Sequence, residues 1–219
     1  MKNRILRILT ALIVLLAAIC PAAAADPDPQ PTAAPGHFSD TAGHWAELDI
    51  EAAAEMGLFS GYPDGSFHPD EKTGRAQFVT VLWRMKGRPE PAADPPFQDI
   101  ADQPAEFQKA ISWAYEQGFI SGISETAFGP SEELSREAAV TILFRCAGGF
   151  GGMEVFFTDT YDAAYEDSGE ISDWAKPAMY WAVYQTIIRG TSETALSPKQ
   201  PVTRAQLAVI LLNYLEEGF

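Results

Sequence analysis

One pattern occurs three times in this 219-residue chain, at spacings of 61 and 68 residues. Gly61, Gly122 and Gly190 keep those spacings. So do Phe67, Phe128 and Leu196, then Pro69, Pro130 and Pro198, then Arg75, Arg136 and Arg204. Upstream, Ile50, Ile111 and Met179 match, as do Ala53, Ala114 and Ala182. An aromatic-x-Asp triplet opens each copy: Phe38-Ser-Asp40, Phe97-Gln-Asp99 and Tyr165-Glu-Asp167. Phe157-Thr-Asp159 fits the triplet but falls off the period, and is read as linker. Repetition over so long a period predicts an array of homologous units. Each is too small to bury its apolar face alone and shares a core with its neighbours.

Within each copy the apolar spacing predicts helix, loop, helix. In the first copy, Trp45, Leu48, Ala52, Ala53 and Met56 fall on one helical face, and Gly57 is placed to stop that helix. The loop Gly61-Tyr-Pro-Asp-Gly-Ser-Phe-His-Pro69 is dense in turn formers, with Phe67 as its apolar anchor. A second helix follows from Arg75, burying Phe78, Val79, Leu82 and Met85. The second copy repeats this with Phe107, Ala110, Ile111 and Ala114, then Ala139, Val140, Leu143 and Phe144. The third uses Trp174, Ala178, Trp181 and Ala182, then Leu207, Ile210, Leu211 and Tyr214. Pro177 requires the first helix of that copy to begin only a few residues before it. Thr203-x-x-Gln206 is a full capping box, which the other two copies lack. The expected class is all-α: three helix-loop-helix repeats at 38–87, 97–147 and 165–216, closed about a pseudo-threefold axis.

The three arginines stand in the first helical turn, where the macrodipole favours an acid. Three cations in register there argue for a role. They either meet an anionic ligand or pair internally with Asp40, Asp99 and Asp167. Free backbone N–H groups at the same helix starts would add to an anion site. Gly61, Gly122 and Gly190 would let the backbone approach a ligand closely. The three aspartates suit caps and turns as well as ligand contacts.

Residues 1–25 carry Lys2, Arg4 and Arg7 before an apolar run from Ile8 to Ile19, then Ala22-Ala-Ala-Ala25. That is the layout of a cleaved signal peptide, and the apolar run is too short to span a bilayer. Ile19 before Cys20 does not suit a lipobox. A Pro/Ala-rich tail at 26–37 follows, and linkers are expected at 86–96 and 146–164. Without the leader, twelve basic residues face thirty acidic ones, a formal charge of −18. Such a surface excludes nucleic acid as a partner. No further stretch could cross a membrane. With Cys146 alone left after cleavage no internal disulfide can form, and the thiol is expected to be inert packing.

No catalytic constellation emerges, and no cofactor is expected. His37, His44 and His68 lack metal-ligand spacing, and Asp64 to Asp70 lacks the ligand alternation of a calcium loop. Trp45, Trp174 and Trp181 are assigned to the core rather than to sugar platforms. Trp83 and Trp113 stay open, because their faces are only partly apolar.

The aromatic-x-Asp openings, the Gly61-Tyr-Pro-Asp-Gly-Ser-Phe-x-Pro69 loop and Thr203-Arg-Ala-Gln206 resemble the S-layer homology (SLH) family, over roughly residues 38 to 214. The resemblance implies a three-pronged helical pseudotrimer that anchors exported proteins to secondary cell-wall polysaccharide. Recognition is often through a pyruvylated amino sugar, in grooves between repeats. By position, ligand contact then falls to Arg75, Arg136 and Arg204, with Asp40, Asp99, Asp167, Gly61, Gly122 and Gly190 around them. This sequence departs from the family pattern at Gly74, at Ser135-Arg-Glu-Ala138, and at the turns Ile123–Thr126 and Thr191–Thr194, so three equal sites are not expected. A self-associating surface scaffold, with other surface proteins as partners, is the alternative reading. A wall hydrolase is a third, disfavoured because no room for a catalytic domain is evident.

Overall fold

The computed structural model describes residues 37–149 and 165–219. The expected leader, all of the tail but His37, and Phe157-Thr-Asp159 lie outside the described residues. Among the described residues, six α-helices make up the longer elements: α1 Glu47–Glu55, α2 Arg75–Met85, α3 Ala105–Glu116, α4 Arg136–Cys146, α5 Lys176–Tyr184 and α6 Arg204–Glu216. A short 3-10 turn spans Ser168–Glu170. Among the described residues there is no β-strand. None of their helices is long and apolar enough to cross a membrane.

The helices pair across repeats. The second helix of each repeat packs on the first helix of the next: α2 on α3, α4 on α5, and α6 back on α1. That last pairing closes the ring. One apolar core runs through all three repeats, with Phe67, Phe78, Phe128, Leu143, Met179 and Tyr214 fully buried.

Closure is also written in the backbone. The segments that lead into α2, α4 and α6 meet as three isolated antiparallel bridges, Lys72 with Thr203, Gly74 with Glu133 and Ser135 with Pro201. Their hydrogen bonds form a cycle. Thr73 N–H donates to Val202 O at 2.9 Å, Val202 N–H to Leu134 O at 2.9 Å, and Leu134 N–H to Thr73 O at 3.0 Å. Thr73, Leu134 and Val202 are equivalent positions, so the pseudo-threefold axis passes through this triangle.

The same arrangement occupies the helix starts. Arg75 and Ala76 donate their N–H groups to Glu132 O and Pro130 O. Arg136 and Glu137 donate to Gln200 O and Pro198 O, and Arg204 and Ala205 to Glu71 O and Pro69 O. The expectation of free N–H groups for an anion is therefore corrected: carbonyls of an adjacent repeat satisfy the donors that a helix leaves open in its first turn. The side-chain caps are divided as the sequence suggested. Gly74 N–H is capped only by Gln77 Oε1 (2.8 Å), and Ala138 N–H only by Ser135 Oγ (3.3 Å). Thr203 and Gln206 make both halves of the box. Pro177 sits in the first turn of α5, where its missing N–H costs nothing.

Candidate functional site: the grooves between repeats

Each loop is held by its opening aspartate. The Asp40 carboxylate accepts from Phe67 N–H and His68 N–H, both at 2.7 Å. Asp99 does the same for Phe128 and Gly129, at 2.9 and 2.8 Å, and Asp167 for Leu196 and Ser197, at 2.8 and 2.7 Å. The second residue of each pair has positive φ: His68 (56°), Gly129 (73°) and Ser197 (52°). A left-handed non-glycine residue is disfavoured, and two charge-assisted bonds per carboxylate hold the turn in place. The ring of the opening aromatic lies across the loop glycine. A Cβ on Gly61 would meet Phe38 at 2.5 Å, one on Gly122 would meet Phe97 at 2.6 Å, and one on Gly190 would meet Tyr165 at 2.9 Å. The glycines are thus required by packing inside the loop.

The arginines reach into the loop of the next repeat. Arg75 donates Nε to Phe128 O at 3.0 Å and Nη2 to Ser121 O at 2.9 Å. Arg136 does so to Leu196 O and Arg189 O at 2.9 and 2.8 Å. Arg204 completes the cycle with Phe67 O at 2.8 Å and Ser60 O at 3.2 Å. The guanidinium of Arg75 lies 4.6 Å from the Phe128 ring and that of Arg204 lies 4.5 Å from Phe67. Neither sequence alternative foresaw this. The aspartates hold the loops by their N–H groups, and the arginines bind the same loops by their carbonyls. Burial lowers the pKa of all three arginines, that of Arg136 to about 10, with Asp167 opposing the shift. All three remain cations at neutral pH. Carbonyls stabilise a guanidinium but do not neutralise it, so Arg136, only 3% exposed, is a buried positive charge with no ion pair among the described residues.

Two cavities open on these arginines. One, of about 320 Å³, is lined by Arg75, Ser121, Thr141, Ile142, Arg145 and Trp174, with Ile120 and Ala138. The other, of about 580 Å³, contains the counterpart of every one of those eight residues. There Arg136 matches Arg75, Asn213 matches Arg145 and Trp45 matches Trp174. Each groove draws its arginine from one repeat, its loop and long wall from the second, and its tryptophan from the third. The lower wall is tied to the loop in both. Arg145 Nη1 donates to Phe119 O at 3.2 Å, and Asn213 Nδ2 to Ile187 O at 3.1 Å.

The assignment of Trp45 and Trp174 to the core is overturned. Trp45 is 65% exposed and Trp174 is 57% exposed, because both precede the helices they were placed on and project into the grooves. Leu48, placed on the buried face, is also exposed. Trp181 is buried, as are Trp83 and Trp113, and the Trp83 indole donates to Pro89 O at 2.8 Å. The period itself held the signal. The position of Trp45 and Trp174 is Glu106 in repeat 2, and that of Leu48 is Lys109. A core position would not alternate tryptophan with glutamate.

The displaced acid of repeat 2 has a structural role. The Glu137 carboxylate is buried, accepting from Ser172 N–H and Ser172 Oγ, both at 3.0 Å, and from Lys199 Nζ at 2.8 Å. It fastens repeat 2 to repeat 3 ahead of α5. Burial pushes the pKa of the half-buried Cys146 thiol up, which disfavours the reactive thiolate.

A closed ring of three helical repeats with grooves at their junctions defines a repeat-built surface module. The S-layer homology domain model matches residues 37–79, 96–140 and 164–208, and the chain belongs to that family. Similar proteins include the cellulosome-anchoring protein of Acetivibrio thermocellus, 32% identical over 67% of this chain and 30% of that protein. The surface-layer 125 kDa protein of Lysinibacillus sphaericus is 28% identical over 78% of this chain and 14% of its own length. Exoglucanase XynX of Acetivibrio thermocellus is 28% identical over 83% of this chain and 16% of its own length. The chain thus spans less than a third of each of these relatives. Together they make it a secreted, cell-surface protein with an anchoring module.

Proposed function

We propose that the chain, once its leader at 1–25 is removed, is a non-catalytic anchor that binds secondary cell-wall polysaccharide in the grooves between its repeats. The ligand is an acidic sugar, a pyruvylated amino sugar in this reading. One observation carries it: two cavities of matching lining each set an arginine with no ion pair among the described residues, Arg136 buried and Arg75 partly buried, beside an exposed tryptophan. A carboxylate would complete the charge on Arg75 or Arg136. The apolar face of a sugar ring would lie on Trp174 or Trp45. Asp40, Asp99, Asp167, Gly61, Gly122 and Gly190 position the loops whose carbonyls fix the arginines. Several grooves on one module, meeting a repeating polymer, would gain by multivalency.

Co-sedimentation with the host's wall sacculi tests the proposal. Binding is expected to disappear when the sacculi are stripped of secondary polysaccharide, and to fall for Trp45→Ala/Trp174→Ala. Equal binding to stripped and intact sacculi would reject the glycan and favour assembly with other surface proteins.

A further inference from the structure

The junction at Arg204, equivalent by repeat position to those two grooves, is built differently. Its tryptophan position holds Glu106, on the first turn of α3. Its lower-wall position, occupied by Arg145 and Asn213 elsewhere, holds Arg84. These two side chains face each other as a fork. Glu106 Oε1 accepts from Arg84 Nε at 2.7 Å and Oε2 accepts from Arg84 Nη2 at 2.6 Å. Arg84 Nη1 also donates to Ser60 Oγ at 3.3 Å, on the loop whose Ser60 carbonyl accepts from Arg204. The pair is largely buried, at 16% and 29% side-chain exposure. A bidentate carboxylate on a guanidinium is the geometry an incoming acidic sugar would adopt.

A second difference lies above Arg204. Its guanidinium stands 5.2 Å from the Tyr62 ring as well as against Phe67. Tyr62 stacks on His68 at 4.3 Å, and its hydroxyl donates to Glu71. The equivalent positions elsewhere are Ile123 and Thr191, which offer no ring. Aromatic cover over the arginine and an internal carboxylate thus stand where the other grooves have no ring and an exposed tryptophan.

We infer that Glu106 is a built-in anion that fills the groove between repeats 1 and 2, so that this chain has two ligand grooves rather than three. The inference rests on the glycan reading for the identity of the ligand. Removing Glu106 leaves Arg84 without its paired carboxylate and creates a third anion-accepting groove beside Arg204.

The test uses the secreted chain, 15N-labelled, titrated with a methyl N-acetylhexosaminide bearing a pyruvate ketal. The arginine Nε and tryptophan indole signals report each groove separately. Arg75, Arg145 and Trp174 are expected to shift, as are Arg136 and Trp45, while Arg84 and Arg204 stay still. In Glu106→Ala, and in Glu106→Trp, which installs the residue of the other grooves, Arg84 and Arg204 are expected to respond, and calorimetric stoichiometry to rise from two to three. Amide dispersion checks that both variants fold. Shifts at Arg84 and Arg204 in the wild type, with affinity within threefold of the other grooves, would overturn the inference and leave the glycan reading standing. So would silence of Arg84 and Arg204 in both folded variants while the other grooves respond. Silence of every arginine in all three proteins would reject the glycan reading, and the inference with it.

Discussion

At the scale of single residues, Arg75 and Arg136 both hold a neighbouring loop and line a groove, whereas Trp45 and Trp174 line the grooves from exposed positions. Two of the five Arg136 N–H donors are spent on Leu196 O and Arg189 O. Arg136→Ala is therefore expected to destabilise the chain by about 2–4 kcal/mol in chemical denaturation, since two carbonyls lose a charged donor. Trp174→Ala, at an exposed position, is expected to shift stability by less than about 0.5 kcal/mol, yet to weaken glycan binding by several-fold. A variant pair in which both changes cost equal stability would contradict this division. The charge on Arg136 also fixes the pH response. Its folded pKa of about 10 lies below the unfolded value, so the unfolded chain holds more protons between those two pH values. Folding stability from this group rises with pH only in that window and is flat below it. Binding of a fully ionised sugar acid in the Arg136 groove should be constant from about pH 5 to 9 and fall above about 10 as that cation is lost. Sequence alone exposed the arginines, because three cations against three helix dipoles stand out. It could not show that they reach the next repeat's carbonyls, since those partners lie up to 144 residues away.

At the scale of elements, the loop is the unit that makes a groove wall, and the aspartate is what holds it. Asp99→Ala removes two charge-assisted bonds to Phe128 and Gly129 and frees the loop that anchors Arg75. The expected cost is about 3 kcal/mol in urea denaturation. The Arg75 Nε signal should broaden with it, while that of Arg136 keeps its position. Loss of stability with no change at Arg75 would separate loop from groove and contradict the coupling. The helices themselves were legible, because apolar spacing and stop glycines are local signals. Their faces were read less well where a large apolar residue was taken as buried by type. Trp45 precedes a short helix that begins at Glu47, Leu48 lies on its exposed side, and its buried side is Ile50, Ala53 and Ala54. Comparison with Glu106 and Lys109 at the same repeat positions separates the two faces.

At the scale of the whole molecule, the grooves depend on ring closure. Each combines residues from three repeats, and the starts of α2, α4 and α6 are each satisfied by a neighbour. A chain ending at residue 147 would strand the first-turn N–H groups of Arg136 and Glu137, the guanidinium of Arg136 and the carboxylate of Glu137. Such a truncation is expected to lose amide dispersion and cooperative unfolding. A well-dispersed spectrum would show that two repeats suffice. The closed pseudo-threefold was anticipated from the repeat count, and the Thr73–Val202–Leu134 hydrogen-bond cycle is its physical basis. Which grooves are open was less accessible, because it turns on side-chain pairs such as Arg84 with Glu106 that repeat spacing aligns but does not join. The central claim is that acidic wall glycan binds in the grooves marked by exposed tryptophan. Isothermal titration of the secreted chain with purified secondary wall polysaccharide, beside Trp45→Ala/Trp174→Ala, tests it most directly. The account predicts saturable binding by the wild type and at least tenfold weaker binding by the double variant at unchanged thermal stability. Equal affinity of the two proteins would contradict it.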